Sequence, residues 1–562
     1  MRDKREFHAM IEAIDGKEPS AYEALTGDFD FTRFVVHNAR LASGSGAAPE
    51  ALFVLHVPQM IAGFPERLFD RPIRRTALED YITRQLAAAI RREETDAKDP
   101  LPVGSIGFPQ PGPHILPRSA VVMAADYVEA RIRVVLPLRD GRVCGAVAER
   151  IFFHALPSIV NAALLYCYQD ADALDRFVQG MEDADAMRQA LLQRGLVAFA
   201  AEGARCREGT PALAVDGEGP VRATIDTPNA GSIPGLAIPA GVTLVLGDPY
   251  SGRRELLAAL ADGVYNHAPG DGREQVVAVP DAVQVGAEPG RPVQRVDLRA
   301  FLRDAGPPHA AFTAARATAT ESQMAGVVEA LQAGAQALFI DESDSDPSFL
   351  SADPRLDTLA GADAGRVIPL SARVRQIADE WRASVVVGAW ACAAPFMAVA
   401  DTVLRIENGR VQDITAKVRE AGFEASTASL PTLPGLNSSE RWICPSSIDP
   451  ARGRDDACIE ACGVTTLRFG RSVIDLSGVR QLADPSQTVA IGLVLHYAKL
   501  HYLDEPRRLD ELLDLLDQDL GAEGLDALWR ESRGDLARPR RFEIAAAFNR
   551  LDALRMMAAA KA

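Results

Sequence analysis

The stretch that most constrains the fold runs from Gly241 to Leu260. Val242-Thr243-Leu244-Val245-Leu246 is an apolar, β-branched run of the length of one buried strand. A loop follows, Gly247-Asp248-Pro249-Tyr250-Ser251-Gly252, and a helix begins near Arg253 with Leu256, Leu257 and Leu260 on one face. A strand that feeds a helix through a glycine-bounded loop is the setting of a phosphate-binding P-loop, whose backbone N–H groups cradle an anion. Gly247 and Gly252 stand at that spacing. Such a loop ends Gly-Lys-Ser/Thr, however, and here Arg253 and Arg254 occupy the last two positions. Further along, Ala337-Leu338-Phe339-Ile340-Asp341-Glu342 reads as an intact Walker B strand that ends in two carboxylates.

The rest of the central region alternates strand and helix. Strands are expected over Gln275–Val279, Gln336–Ile340, Ser384–Val387 and Asp401–Ile406, with helices over Ser322–Ala333 and Ser371–Arg382. That alternation predicts an α/β class with a mostly parallel sheet. The expected plan is an N-terminal α+β module over 1–205, an ATPase-like α/β core over 206–420, a linker over 421–439 rich in Ser, Thr and Pro, and a mostly helical C-terminal module over 440–562. Residues 205–235 read as a boundary with a few edge strands. The last helix is expected over Phe542–Ala560.

Composition narrows the classes. Hydrophobic residues make up 48% and charged residues 24% of the 562, the balance of a globular protein, and the net charge of −17 argues against a broad nucleic-acid-coating face. No apolar signal core follows the charged N-terminus, and no run reaches the length of a membrane span, so a soluble, cytoplasmic protein is expected. Seven cysteines without paired Cys-x-x-Cys spacing read as reduced thiols, with Cys144 and Cys167 in apolar surroundings.

Family-specific strings then appear along nearly the whole chain. They include Ile238-Pro239-Ala240-Gly241-Val242-Thr243-Leu244, Gly263-Val264-Tyr265-Asn266-His267-Ala268-Pro269-Gly270-Asp271-Gly272-Arg273-Glu274 and Val399-Ala400-Asp401-Thr402-Val403. Near the end come Ile448-Asp449-Pro450-Ala451-Arg452-Gly453-Arg454 and Arg540-Arg541-Phe542-Glu543-Ile544. In these the chain resembles the predicted ATPases of the ABC class. The resemblance implies a P-loop, ABC-type core that binds ATP or ADP with Mg²⁺. Asp341 would act through the metal and Glu342 would polarise the attacking water. Gly247, Tyr250, Ser251, Gly252, Arg253 and Arg254 would form the phosphate loop. Thr320, Ser322 and Gln323 would form the signature at a helix N-terminus.

The departures from the family pattern lie on the phosphate-facing elements. Pro249 has no N–H to give to a phosphate nest. Arg253 replaces a compact ammonium with a planar fork. Arg254 removes the hydroxyl that would hold Mg²⁺ and brings a cation toward the metal position, where two unit charges 4 Å apart repel by roughly 4 kcal/mol at an effective dielectric of about 20, unless its side chain swings away. In the signature, Ala319 and Glu321 stand where the family has Gly and Thr, and Glu321 is expected to aim an anion at an incoming phosphate. Ala389-Trp390-Ala391-Cys392 replaces a glycine-rich segment, with Trp390 expected in the core. Weak or lost ATP hydrolysis is therefore expected. The alternatives are a non-enzymatic pseudo-ATPase that acts as scaffold or regulator beside a second copy or a paralogue, and, with less weight, a nucleic-acid-binding accessory protein using Arg71/Arg74/Arg75, Arg452/Arg454 or Arg538/Arg540/Arg541.

Overall fold

The computed structural model describes residues 1–42, 49–96, 100–217, 219–303, 305–351, 366–424, 430–436, 441–452 and 457–558. The chain forms two compact units: Met1–Glu182 with Leu525–Arg538, and Asp183–Gly524 with Pro539–Ala562. Arg454, part of one basic cluster, and residues 425–429 and 437–440 of the expected linker lie outside the described residues.

The first unit is built on an antiparallel sheet. Helix α1 (Lys4–Ile14) is capped by the Asp3 carboxylate, which accepts from Arg5 N and Glu6 N, and it buries Phe7, Ile11 and Ile14. Strands β1 (Gly27–Asp30), β2 (Val35–Ala42), β3 (Glu50–Pro58) and β5 (Tyr127–Val135) pair in that order, and β4 (Val121–Met123) adds to β5. Along β3 every second residue (Ala51, Phe53, Leu55, Val57) is buried, the period-2 signature of a strand with one face on a core. Phe7, Phe29 and Phe152 meet edge to face in that core. The returning segment Leu525–Arg538 is fastened to β5 by the ion pairs Arg131–Asp526 and Arg133–Asp535.

The second unit carries two sheets. Strands β6 (Leu196–Ala201), β8 (Arg222–Thr227), β9 (Gly231–Pro239) and β11 (Val276–Ala278) form an antiparallel sheet in the order β8-β9-β6-β11. The segment 205–235, read as a boundary with a few edge strands, thus holds β8 at the edge of that sheet and much of its hairpin partner β9. The larger sheet takes β7 (Ala214–Asp216), β10 (Val242–Leu246), β12 (Ala282–Gln284), β13 (Ala337–Asp341), β14 (Ser384–Ala389), β15 (Thr402–Glu407) and β16 (Arg410–Asp413) in the order β7-β16-β15-β10-β14-β13-β12. Its pairs are parallel from β12 through β15, and β16 turns back antiparallel on β15. β10, β13 and β14 are apolar and almost wholly buried, as strands covered on both faces must be. Helices α2 (Arg253–Asp262), α3 (Ala319–Gln332) and α4 (Leu370–Glu380) precede or follow these strands. An α/β class is therefore observed, and β10 and β13 end side by side with only β14 between them.

Two local expectations need correction. The C-terminal helix α5 (Arg541–Arg550) stops well short of Ala560, because Leu551 turns extended and Met556–Met557 pairs instead with Trp442–Ile443. Tertiary pairing overrides the helical preference of Met556 and Met557. Cys144 is buried as expected, but Cys167 is exposed, on a short turn after an apolar helix.

Candidate functional site

The site lies at the carboxyl ends of β10, β13 and β14. Gly247 must be a glycine, since a Cβ there would lie 2.3 Å from Ser251 Oγ and 2.9 Å from Ile406 Cγ2. Gly252 takes φ +90°, which lets the loop turn into α2. Inside the loop, Asp248 takes up the nearby donors. Its carboxylate accepts from Tyr250 N at 2.8 Å. Its carbonyl accepts from Ser251 N at 3.1 Å and from Ser251 Oγ at 2.7 Å. Tyr250 stands at the tip of the loop, 93% exposed.

Arg253 is the centre of the arrangement. As the first residue of α2 it points back under the loop, and its side chain is only 4% exposed. Nε donates to Asp341 Oδ2 at 3.1 Å and Nη2 to Asp341 Oδ1 at 3.3 Å, a two-pronged guanidinium–carboxylate pair. Nη1 donates to Gly247 O at 2.8 Å and Nη2 to Ser343 Oγ at 3.1 Å. Glu342 lies 3.5 Å from Nη1. Asp341 also accepts from Ser343 N at 2.9 Å, so both of its oxygens are bonded within the chain. Gly388 on β14 makes room, because a Cβ there would sit 2.5 Å from Asp341 Oδ2.

Glu342 is held by backbone. Its Oε2 accepts from Trp390 N at 2.6 Å and Ala391 N at 3.2 Å, and its Oε1 accepts from Cys392 N at 3.1 Å. Three successive N–H groups form a small anion nest, and the carboxylate of this chain occupies it. The nearby Cys392 thiol is pushed up to about 12, by burial first and then by Glu342. Trp390, expected in the core, is 53% exposed. Its backbone turns inward to serve Glu342, which sends the ring outward.

Arg254 does swing away from the metal position. One residue further round the helix, its guanidinium swings away to Asp344 at 3.1 Å and is 56% exposed. The cation on Asp341 is Arg253. Asp344 is gripped a second time by Arg480 at 3.2 Å. The signature segment also folds on itself. Thr318 caps α3, with Glu321 N donating to its hydroxyl and Thr318 N donating to the Glu321 carboxylate at 2.8 Å. Glu321 thus closes a capping box instead of aiming at a phosphate. Thr320 is half-buried beside this cap. Ser322 and Gln323 are fully buried. The Ser322 hydroxyl accepts from Glu288 N at 2.9 Å. The Gln323 amide donates to Ser345 Oγ at 2.8 Å and accepts from Asp346 N at 2.8 Å.

The structure therefore brings together Gly247, Ser251, Gly252, Arg253, Asp341 and Glu342, and turns Tyr250 and Arg254 outward. Sequence reasoning did not single out Ser343 or the N–H groups of residues 390–392 as partners. Backbone donors carry no residue-type signal, and Ser343 was readable only as part of the loop after the Walker B strand. Tyr265 and His267 are buried: Tyr265 receives a hydrogen bond from Gln487 at 3.1 Å, and His267 pairs with Asp271 at 2.8 Å. In the basic clusters, Arg74 pairs with Glu182, Arg540 with Glu543 and Arg541 with Asp514 and Asp517.

A parallel sheet with a glycine-bounded loop at one strand end and an acidic pair at another defines a P-loop nucleotide-binding fold. The P-loop domain of the ABC ATPases matches residues 170–433, and the N-terminal domain of ATPases of the ABC class matches residues 4–167. The chain belongs to the ABC-class ATPase family. Residues 458–557 match the MRB1590 C-terminal domain. No curated protein matches the chain. Among the described residues no helix is long and apolar enough to cross a membrane.

Proposed function

We propose that this ABC-class protein is a pseudo-ATPase, in which the nucleotide site is held closed by its own side chains and ATP hydrolysis is weak or lost. The observation that carries this reading is the Arg253 fork on Asp341. Magnesium at such a site needs a carboxylate, a Ser or Thr hydroxyl and water in a near-octahedral shell. Here both Asp341 oxygens are bonded to Arg253 or to Ser343, and the hydroxyl position is Arg254. The residues present do not suit the ion. Three backbone N–H groups already occupy the Glu342 carboxylate, so its oxygens are engaged within the chain and not turned to a water molecule.

With its nucleotide chemistry reduced, the chain would serve as a scaffold or regulatory partner for a second copy or a paralogue. Titration calorimetry with ATP, with and without Mg²⁺, tests the closed site, beside phosphate release by the full chain and by Glu342→Gln. The expected result is no gain in ATP affinity on adding Mg²⁺ and equal background phosphate release from both proteins. Mg²⁺-dependent tightening with turnover that Glu342→Gln abolishes would overturn the reading.

A further inference from the structure

The outer flank of the same loop carries a second feature that phosphate chemistry does not use. A cavity of about 300 Å³ opens between Pro249–Gly252, the segment 206–213 and the turn that joins β15 to β16. That volume lies at the lower end of the range for small-molecule sites. Its walls are fixed. β7 pairs in parallel with β16 from Ala214 onward, which anchors the end of the 206–213 segment. Gly409 takes φ +77°, and a Cβ there would meet Ala212 O and Pro211 Cβ at 3.0 Å, so the glycine lets that segment settle onto the turn.

We propose that this cavity is a binding site for a small planar organic cation of the amidinium or protonated heterocyclic amine class. Leu213, Pro211 and Ile406 give it apolar walls, and the Tyr250 ring stands exposed at its rim as a stacking face for a delocalised cation. Glu255 supplies the charge. No donor or cation is bonded to its carboxylate among the described residues, although it is near enough to Cys206 to hold that thiol up. Asn408, at φ +51° on the turn, adds a polar residue to the lining.

The sign of the ligand follows from what the cavity lacks. A helix N-terminus ordinarily favours an anion. At α2 that preference is already met, because Glu255 sits in the first turn and Asp248 takes the loop donors. Arg253 is drawn off to Asp341 and Arg254 to Asp344, and Arg273, whose charge reaches Cys206, is paired with Asp262 and Asp271, so among the described residues that line the cavity none is a cation. A phosphate would meet Glu255 with no cation in the lining to offset it. This inference is independent of whether the Asp341–Glu342 site turns over ATP.

Cys206 lines the cavity and reports on it from inside. Burial and then Glu255 push its thiol up to about 11, so its alkylation is slow but measurable at mildly alkaline pH. The full chain is treated with N-ethylmaleimide, and modification of the Cys206 peptide is followed by mass spectrometry with benzamidine or the isosteric anion benzoate present. Benzamidine is expected to protect Cys206 in a saturable way and benzoate to leave its rate unchanged. Loss of a charge-assisted pair predicts at least about tenfold weaker protection by benzamidine in Glu255→Gln. Glu255→Lys is expected to reverse the preference toward benzoate. Unchanged Cys206 modification with saturating benzamidine, or protection in Glu255→Gln as strong as in the parent chain, would overturn the proposal.

Discussion

Two helix N-termini in the second unit, those of α2 and α3, stand where an ABC-class fold would present backbone donors to a nucleotide, and they are closed in different ways. At α3 the closure is local: Thr318 and Glu321 satisfy each other's N–H groups across three residues. At α2 no side chain caps the helix, and the closure is long-range, with Arg253 bonded to Asp341 on another strand. A capping box is common helix punctuation and would form in many contexts. The Arg253 pair is specific to this site. It joins two elements that bind the same nucleotide in a working ATPase, and it puts a fixed organic cation beside the carboxylate that would otherwise act through a metal. The proposed loss of hydrolysis therefore rests on the long-range closure more than on the local one.

The difference should be visible in energetics. Removing one partner of a buried pair strands the other charge, so Arg253→Ala is expected to destabilise the second unit by about 3–5 kcal/mol. Urea denaturation followed by near-UV circular dichroism measures it. A loss below about 1 kcal/mol would show that Asp341 finds other partners and that the closure is weaker than its geometry suggests. The double substitution Arg253→Lys with Arg254→Ser exchanges the fork for an ammonium and returns a hydroxyl. It is expected to tighten Mg·ATP binding about tenfold or more, or about 1.4 kcal/mol, by calorimetry. No gain would place the block in Asp248 and Pro249. At the other helix, Thr318→Ala should cost about 1 kcal/mol and leave nucleotide affinity unchanged.

The same contrast divides what the sequence made legible from what it did not. β10, the loop and α2 were readable because each rests on local pattern: an apolar run, bounding glycines, leucines three and four apart. The Thr318–Glu321 box was also written in the chain as T-x-x-E, although the Glu321 carboxylate was expected to face a phosphate. The direction of Arg253 and Arg254 follows from a turn of about 100° between successive helix residues, which sends one inward and the other out. Which acid Arg253 would reach could not be read, since Asp341, Glu342 and Asp344 all lie near that strand end. Glu342's three backbone partners left no trace in residue type. The hairpin at 222–239 was legible only as a few edge strands at a boundary, because its Gly, Pro and Thr content breaks the strand pattern until the neighbouring strand of the sheet is known.

Cys392 offers the finest probe of the acidic end of this comparison. Its thiol is raised mainly by burial, and the charge of Glu342 adds to that. A thiol whose folded pKa lies above its unfolded value binds its proton more tightly in the native state, so its contribution to stability is lost as pH climbs toward about 12. Below that range the thiol is protonated and slow to alkylate. Glu342→Gln removes the electrostatic part of the shift and keeps most of the burial. Cys392 in that variant is expected to react several-fold faster with a maleimide near pH 8.5, while the exposed Cys167 and Cys462 react at their parent rates. If instead all three cysteines accelerate together, the segment 390–392 has opened with the loss of its carboxylate, and the nest would be a structural clamp that Glu342 maintains. If Cys392 is unchanged, burial alone sets its reactivity and Glu342 already shares its charge fully with the three N–H groups and Arg253.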